Sequence, residues 1–108
     1  MQTTQTFCTP EATFDFIGRE VLDEHGMVVG DVVDVVCDDA GCVEYLVVDP
    51  GRLRAARYVP AAKAYHTNGH QVVVAWERSW IMKGPKATGN HRPDADRRVE
   101  LDRHYTDG

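Results

Sequence analysis

The sequence predicts a mainly β fold, a small and partly open antiparallel β-barrel with short helical turns and a possible C-terminal helix. Three observations support this prediction. Runs rich in valine and isoleucine recur between residues 16 and 76, which is typical of strands. Glycine-containing turns separate the first three runs. The second run changes its apolar face part-way along, as a strand that bends around a small barrel does.

The first three strands are predicted at 16–22, 28–37 and 42–49. Gly26 lies in the first turn, where a hairpin loop needs a residue with positive φ. In the second turn, Asp38 can open a type I turn and Gly41 can take the left-handed position that closes a longer loop. We therefore expect these strands to pair as an antiparallel meander.

The middle strand does not keep its alternation from end to end. Val28, Gly30 and Val32 share one face, but the next residue on that face is Asp34. A residue without a side chain, followed by a change of apolar face, predicts a β-bulge or a sharply coiled strand. Strands of this kind close small barrels.

The later predicted elements are shorter than the first three. Asp94 can cap a final helix of about a dozen residues, which should either dock or fray because so short a helix is marginal alone. The elements before that helix are a strand at 58–60, one helical turn at 61–65, a hairpin turn at Asn68-Gly69 and a strand at 71–76.

Length and composition indicate one domain. With 108 residues, 43% of them apolar, the chain can bury one modest core. We divide it into a lead-in at 1–13, a barrel domain at 14–85 and a linker with a helical tail at 86–108. No apolar run approaches the roughly 20 residues of a membrane span, and the chain begins without the pattern of a secretion signal. A cytoplasmic location is expected.

Charge is distributed unevenly along the chain. Residues 1–51 contain eleven acidic residues and a single basic one, Arg19, whereas residues 52–108 contain six acidic and eleven basic residues. We favour the interpretation that acidic early strands face basic later segments across the barrel or across a dimer; the alternative is separate acidic and basic surfaces for partners. The net charge of −5 argues against non-specific nucleic-acid binding.

Four groups of residues resemble the PRC-barrel domain family, and the resemblance covers roughly residues 14–85. They are Ile17-Gly18 with Val21 and Asp23, then Gly26, Gly30, Val32 and Asp34, then 41–48, and finally Tyr58-Val59-Pro60. The resemblance implies a small β-barrel of SH3-like size. Such barrels occur in the cytoplasmic part of the photosynthetic reaction-centre H subunit and in a ribosome maturation factor. It implies a binding role and no catalytic centre.

Three arginines between the third and fourth strands are the candidate partner-binding residues. Guanidinium groups bind carboxylates and phosphates bidentately, so Arg52, Arg54 and Arg57 are suited to an acidic protein segment, a lipid headgroup or an RNA backbone. The favoured alternative is a solvated turn whose arginines pair with nearby acids, namely Asp38, Asp39 or Asp49.

Aromatic residues near the end of the barrel are candidates for a dimer interface. As a plug over one barrel end they belong to the core, but a small barrel cannot easily bury two tryptophans, and Trp and Met are enriched at protein contacts. We therefore expect a homodimer. Its candidate interface residues are Trp76, Trp80, Met82 and Tyr105.

The cysteines and histidines predict neither a metal site nor a cofactor. Cys8, Cys37 and Cys42 are an odd number in a chain without a secretion signal, so no disulfide framework is expected. We interpret Cys37 and Cys42, on either side of the second turn, as reduced, half-buried strand residues. A zinc site would need tighter cysteine pairs. His66 and His70 flank a turn without a third ligand nearby, and we interpret them as exposed turn residues.

The function predicted from these features is a non-enzymatic protein-binding or adaptor module that forms homodimers. The alternative is a ribosome- or RNA-associated maturation factor, which the acidic first half disfavours. A small enzyme or a metal-binding protein is a weaker hypothesis. The chain has no nucleophile elbow, phosphate loop or paired acid and base, and its only serine, Ser79, has no motif around it.

Overall fold

The computed structural model describes residues 15–67, 69–87 and 89–107, and its main feature is a seven-stranded sheet. Besides the helical residues Asp15 and Phe16, helices α1 at Arg78–Ile81 and α2 at Ala95–Asp107 lie among the same residues. The predicted fold class is confirmed, and the lead-in at 1–13 lies outside the described residues. The strands are β1 Glu20–Leu22, β2 Val28–Cys37, β3 Val43–Asp49, β4 Ala56–Pro60, β5 Tyr65–His66, β6 Gln71–Val73 and β7 Lys86–Ala87.

The strand order in the sheet is β5-β6-β1-β2-β3-β4-β7. Strands β1 to β3 form the predicted antiparallel meander, and β4 continues it as a fourth antiparallel strand. Strand β6 adds to the free edge of β1 in parallel, so the sheet is mixed and not antiparallel throughout. Among the described residues, the end strands β5 and β7 do not pair with each other, so the barrel stays open.

The predicted bulge lies in β2, where the register with β3 shifts between Val32 and Asp34. Gly30, at φ +156°, brings β2 close to the end of β3: a Cβ at this position would lie 2.1 Å from the carbonyl oxygen of Asp49. No other residue type fits such an approach. Glycine is therefore required where the sheet coils and where β3 runs into its following loop.

Four short segments differ from the predicted boundaries because their structure depends on distant parts of the chain. Strand β1 begins four residues later than predicted and β6 ends three residues earlier. In place of the helical turn predicted at 61–65, residues 61–64 form a turn closed by the Ala64 N–H on the Ala61 carbonyl, and Tyr65 begins β5. The predicted linker begins with β7, which pairs with β4.

The core lies on both faces of the sheet. The inner cluster fills the barrel and includes Phe16 and Ile81, while the outer cluster lies between the sheet and α2. Fully burying one large apolar side chain contributes roughly 1.5–3 kcal/mol. The outer cluster consists of Val36, Tyr45, Val47, Tyr58, Ala87, Leu101 and Tyr105.

Helix α2 docks on the sheet and does not extend freely from it. Asp94 caps it as predicted, since its Oδ1 accepts the Arg97 N–H at 2.8 Å. Arg98 pairs with Glu44 of β3 at 2.6 Å, which brings the basic second half of the chain onto the acidic first half. Within the described ranges, neither helix combines the length and the apolar character needed to cross a membrane.

Candidate functional site

The predicted partner-binding residues begin in the loop between β3 and β4, residues 50–55, which we call the arginine loop. Pro50 cannot donate to the sheet and ends β3. The Asp49 carboxylate accepts the Gly51 N–H at 2.8 Å, and the Arg54 N–H donates to the Gly51 carbonyl at 3.1 Å. These two hydrogen bonds define a compact turn at the base of the loop.

The tip of the arginine loop has an unusual backbone. Gly51, Arg52 and Leu53 follow one another in the left-handed region, at φ +81°, +56° and +62°. Glycine adopts this region freely, but each other L-residue loses roughly 1–2 kcal/mol there. Leu53 is fully exposed, at 106% of its reference surface. The loop therefore holds an apolar side chain in water on a strained backbone, a combination that points to a functional contact.

Two of the three candidate arginines are exposed at this tip. Among the described residues, neither Arg52 nor Arg54 takes part in an ion pair. The expected pairing with nearby aspartates does not form there, because the Asp38 and Asp49 carboxylates accept backbone N–H groups of their own turns instead. Both guanidinium groups are therefore available to a partner.

The third candidate, Arg57, lies inside the protein. It is only 9% exposed, and its Nη1 and Nη2 groups donate to the carbonyls of Ala55, at 2.5 Å, and Met82, at 3.3 Å. Burial lowers the pKa of the Arg57 guanidinium, and the positive charge of Arg54 lowers this pKa further. The three arginines, adjacent in sequence, therefore divide into an exposed pair and a buried single residue.

The candidate dimer residues make contacts within their own chain. The Trp80 indole stacks on His104 with ring centroids 4.3 Å apart and donates to the His104 carbonyl at 3.1 Å. Trp76 packs against Tyr105 at 4.9 Å, and the Tyr105 hydroxyl donates to the carbonyl of Tyr58. These contacts attach α2 to the barrel. Met82 is half-buried, and the role of these residues in a dimer stays a prediction.

An open groove of about 460 Å³ lies between α1 and α2. Its two basic side chains, Lys83 and Arg103, take part in no ion pair among the described residues, whereas Glu100 pairs with Arg97 at 3.0 Å. The groove has no side chain suited to act as a nucleophile beside a base. It is lined by Trp80, Lys83, Gly84, Pro85, Glu100, Arg103 and His104.

The β1–β2 turn contains a buried carboxylate whose role the sequence analysis did not predict. Asp23 is 3% exposed; its Oδ1 accepts the N–H groups of His25 and Met27, and its Oδ2 accepts the N–H of Arg78, all at 2.9 Å. Burial raises the pKa of Asp23, but these three N–H groups outweigh it and lower the pKa overall. We call this arrangement the Asp23 joint, because it ties the β1–β2 hairpin to α1.

The sequence near Asp23 predicts its hydrogen bond to His25 but not its hydrogen bond to Arg78. An aspartate at the start of a turn commonly accepts the N–H two residues later, which accounts for His25. The contact with Arg78 spans 55 residues and has no local signal. Outside the joint, His25 Nε2 lies 2.9 Å from Glu77 Oε2, on the surface.

The predicted turn histidines lie in different environments. His70 is exposed as predicted, at φ +72°, but His66 is half-buried with its ring centroid 4.9 Å from that of Phe16. Burial lowers the pKa of His66. Asn68 of this turn lies outside the described residues. Within the part of the chain that is described, no group of three or more His, Cys, Asp or Glu side chains is arranged to hold a metal ion.

The prediction that Cys37 and Cys42 are both reduced is wrong for Cys42. Cys37 is a free, half-buried thiol, as predicted, but Cys42 is disulfide-bonded. An odd number of cysteines argues against a framework of several bridges, yet it leaves room for one bridge and one thiol. Cys8 lies outside the described residues.

Comparison with known proteins agrees with the architecture. The chain matches the model of the PRC-barrel domain over residues 11–76, more than half of its length. A solved structure from Pseudomonas aeruginosa, named as a 16S ribosomal RNA processing protein, RimM, is similar, with a TM-score of 0.50 and 18% identity. The match covers 61% of this chain and 43% of that one, so this chain corresponds to less than half of that protein. No curated protein matches the sequence.

Proposed function

The chain belongs to the PRC-barrel domain family, and on that premise we propose that it is a non-enzymatic module that binds another protein through its arginine loop. The observation that carries the proposal is Leu53, fully exposed and left-handed between two arginines that take part in no ion pair among the described residues. If Leu53 had no binding partner, a change to an unstrained backbone conformation at this residue would lower the free energy of the folded protein. The strain is offset when a partner buries the leucine.

The chemistry of the loop indicates what its partner looks like. Leu53 fits an apolar pocket, and Arg52 and Arg54 fit carboxylates at the rim of that pocket. Arginine forms bidentate pairs with carboxylates and is enriched among the residues that dominate binding energy. Because the left-handed backbone already fixes the turn, little conformational entropy is lost on binding. We therefore infer a partner with an acidic, partly apolar surface.

Affinity capture from an extract of the source organism tests this proposal. The immobilised wild-type chain is compared with the double variant R52E/R54E and with the control R92E, which changes an exposed arginine outside the loop. A protein retained by wild type and R92E, and lost at least about tenfold in R52E/R54E, supports the proposal. The purified protein must then bind wild type directly, more weakly at high salt. Equal retention by all three chains contradicts the proposal.

The RNA-associated alternative depends on the same two unpaired arginines, and the similar P. aeruginosa protein is named for ribosomal RNA processing. The acidic side chains of the first half of the chain, such as Asp38 and Asp39, oppose it, since they repel phosphates. Filter binding of ribosomal RNA at physiological salt distinguishes the two. RNA retention by wild type that is lost in R52E/R54E would replace protein binding with RNA binding.

A homodimer remains part of the proposal. Besides the aromatic residues near α2, several large apolar side chains are exposed on the sheet and its turns, which favours a further protein contact. Light scattering over a roughly hundredfold concentration range is expected to show the mass of two chains. A single-chain mass throughout would contradict it. These exposed side chains are Ile17, Met27, Val28, Val33 and Tyr65.

A further inference from the structure

Arg57 is a buried cation without an acidic partner. The residue exposes only 9% of its reference surface, and the two groups that accept its hydrogen bonds are neutral carbonyls, those of Ala55 and Met82. Among the described residues, no acidic side chain forms an ion pair with it. Buried charges in proteins are normally paired with an opposite charge, because the loss of hydration is otherwise costly.

The surroundings of Arg57 add positive charge. Lys86 lies directly opposite Arg57 in the β4–β7 pair, and like charges in this arrangement repel. Arg54 is near enough for its charge to act on the Arg57 guanidinium. Both Lys86 and Arg54 are exposed and take part in no ion pair among the described residues. Three basic residues are therefore close in the fold at one edge of the sheet, and none of them takes part in an ion pair among the described residues.

Two buried N–H donors also indicate that a negatively charged group binds beside Arg57. The Nε–H of Arg57 and the Nε1–H of Trp76 are both buried, and neither has an acceptor in the part of the chain that the structure describes. Tyr105 neighbours both: its ring centroid is 4.9 Å from that of Trp76, and its hydroxyl donates to the carbonyl of Tyr58, the residue after Arg57. Most buried donors in native proteins have an acceptor. The group that suits unsatisfied donors beside excess positive charge is a negatively charged acceptor.

We propose that the edge formed by β4 and β7 is an oxyanion-binding site, in which Arg57 binds a phosphate or a carboxylate and Arg54 and Lys86 are flanking cations. A guanidinium has five N–H donors, and the two carbonyls use one each from Nη1 and Nη2. The Nε–H and the remaining Nη hydrogens can then donate to two oxygens of one anion, the bidentate geometry that arginine prefers. This site goes beyond the proposed function: it shares Arg54 with the arginine loop, but its central residue is Arg57, and Leu53 and Arg52 have no part in it.

Thermal unfolding and titration calorimetry test the site with inorganic phosphate and with acetate, each against sodium chloride at matched ionic strength. At ten times the dissociation constant, either oxyanion is expected to raise the unfolding midpoint of wild type by about 5 °C. Arg57→Met, which keeps a long side chain without the charge, should lose this shift. Lys86→Ala should reduce it. Arg52→Ala, which removes an exposed arginine of the arginine loop, should leave it unchanged.

The two oxyanions distinguish the sources of the ligand. A preference for phosphate indicates a free or ester-linked phosphate, and a preference for acetate indicates an acidic side chain of a partner. The site is overturned if neither anion exceeds the chloride control, or if Arg57→Met keeps the full shift. Should Arg57→Met fail to fold, the double variant Arg54→Ala/Lys86→Ala, which changes two exposed side chains, decides the question, since an unchanged shift there overturns the proposal.

Discussion

Two turns of the same sheet, the Asp23 joint and the arginine loop, are built in opposite ways. At the joint, one buried carboxylate accepts three backbone N–H groups. In the arginine loop, one carboxylate contact holds the base, while two residues other than glycine take left-handed conformations at the exposed tip. The joint uses its polar groups internally. The loop leaves its side chains available to other molecules.

Under the proposed function, the residues that stabilise the fold and the residues that bind a partner lie in two different turns of one small domain. A change at the joint should affect several elements, because the Asp23 carboxylate connects the β1–β2 hairpin to α1 through three backbone hydrogen bonds. A change at the tip of the arginine loop should stay local, because Arg52, Leu53 and Arg54 are exposed. Substitutions at the base of the loop, at its tip and on both sides of the joint test this division.

The largest effect is expected from Gly30→Ala, at the base of the arginine loop. The new Cβ would lie 2.1 Å from the Asp49 carbonyl oxygen and 2.9 Å from Pro50 Cα, so the backbone of two strands must move. We expect a loss of more than about 4 kcal/mol in the free energy of unfolding, enough to unfold a marginal domain. Urea denaturation followed by circular dichroism measures it.

The matched control for this prediction is Gly41→Ala. Gly41 also has a positive φ, +85°, but nothing lies within 4 Å of a Cβ placed there. Its substitution should cost only the left-handed conformation, roughly 1–2 kcal/mol. Similar losses for the two variants would mean that the close approach at Gly30 contributes nothing.

The second effect is the loss of the carboxylate at the joint. Asp23→Ala leaves three backbone N–H groups without an acceptor, and we expect it to lower the free energy of unfolding by about 3 kcal/mol. Asp31→Ala, which removes an exposed carboxylate from β2, should change stability by less than about 0.5 kcal/mol. Equal effects of the two substitutions in urea denaturation would contradict the role of the joint.

The contribution of Asp23 should also depend on pH. Its pKa is lowered in the folded protein from an ordinary value of 3.8. A lowered pKa means that the stabilisation is complete above 3.8 and is lost as the pH falls through the folded-state pKa. The stability difference between wild type and Asp23→Asn should therefore be constant near neutrality and shrink in acid. A stability difference that grows in acid would mean that folding raises the pKa of Asp23 and does not lower it.

The third effect has the opposite sign. Leu53→Asn replaces a strained leucine with a residue that tolerates the left-handed region, and it removes no buried surface because Leu53 is fully exposed. We expect a gain of about 0.5–1 kcal/mol in the free energy of unfolding, together with weaker capture of the partner. Val99→Asn, at an exposed apolar residue of α2, should leave capture unchanged. A loss of stability in Leu53→Asn would show that the leucine has contacts within the fold.

The sequence predicts the central sheet well because the information for it is local. The bounds of β2 follow from its valines and the flanking turns, and its bulge follows from a missing side chain at Gly30 beside a change of apolar face. By contrast, β5 and β7 contain two residues each. Such strands form only where a neighbouring edge is present, so no pattern within them could predict their pairing.

The candidate site was predicted less completely for the same reason. Three arginines within six residues indicate a basic surface, but Arg57 is buried because β4 begins at Ala56 and pairs with β7, 30 residues away in sequence. The Asp23 joint depends on a contact with Arg78 of α1, which is 55 residues away in sequence. The left-handed conformation of Leu53 has no signal, since leucine is rarely found there.

The smallest effect concerns the outer surface of the joint, where His25 pairs with Glu77. A hydrogen bond to Glu77, and then the charge of that carboxylate, raise the pKa of His25 above its ordinary value of 6.5. A raised pKa means that the pair stabilises the fold below pH 6.5 and that this contribution is lost as the pH rises through the folded-state pKa. Because both side chains are exposed, solvent screens the pair and little stability depends on it.

A proton NMR titration measures this pair directly. The pKa of His25 should lie above 6.5 in wild type and fall in Glu77→Gln, while Glu100→Gln, an exposed acid on α2, should leave it unchanged. The same Glu77→Gln variant should unfold at nearly the wild-type urea concentration. A large loss of stability would mean that the outer pair, and not the buried carboxylate of Asp23, holds the hairpin to α1, because only a desolvated contact can contribute so much.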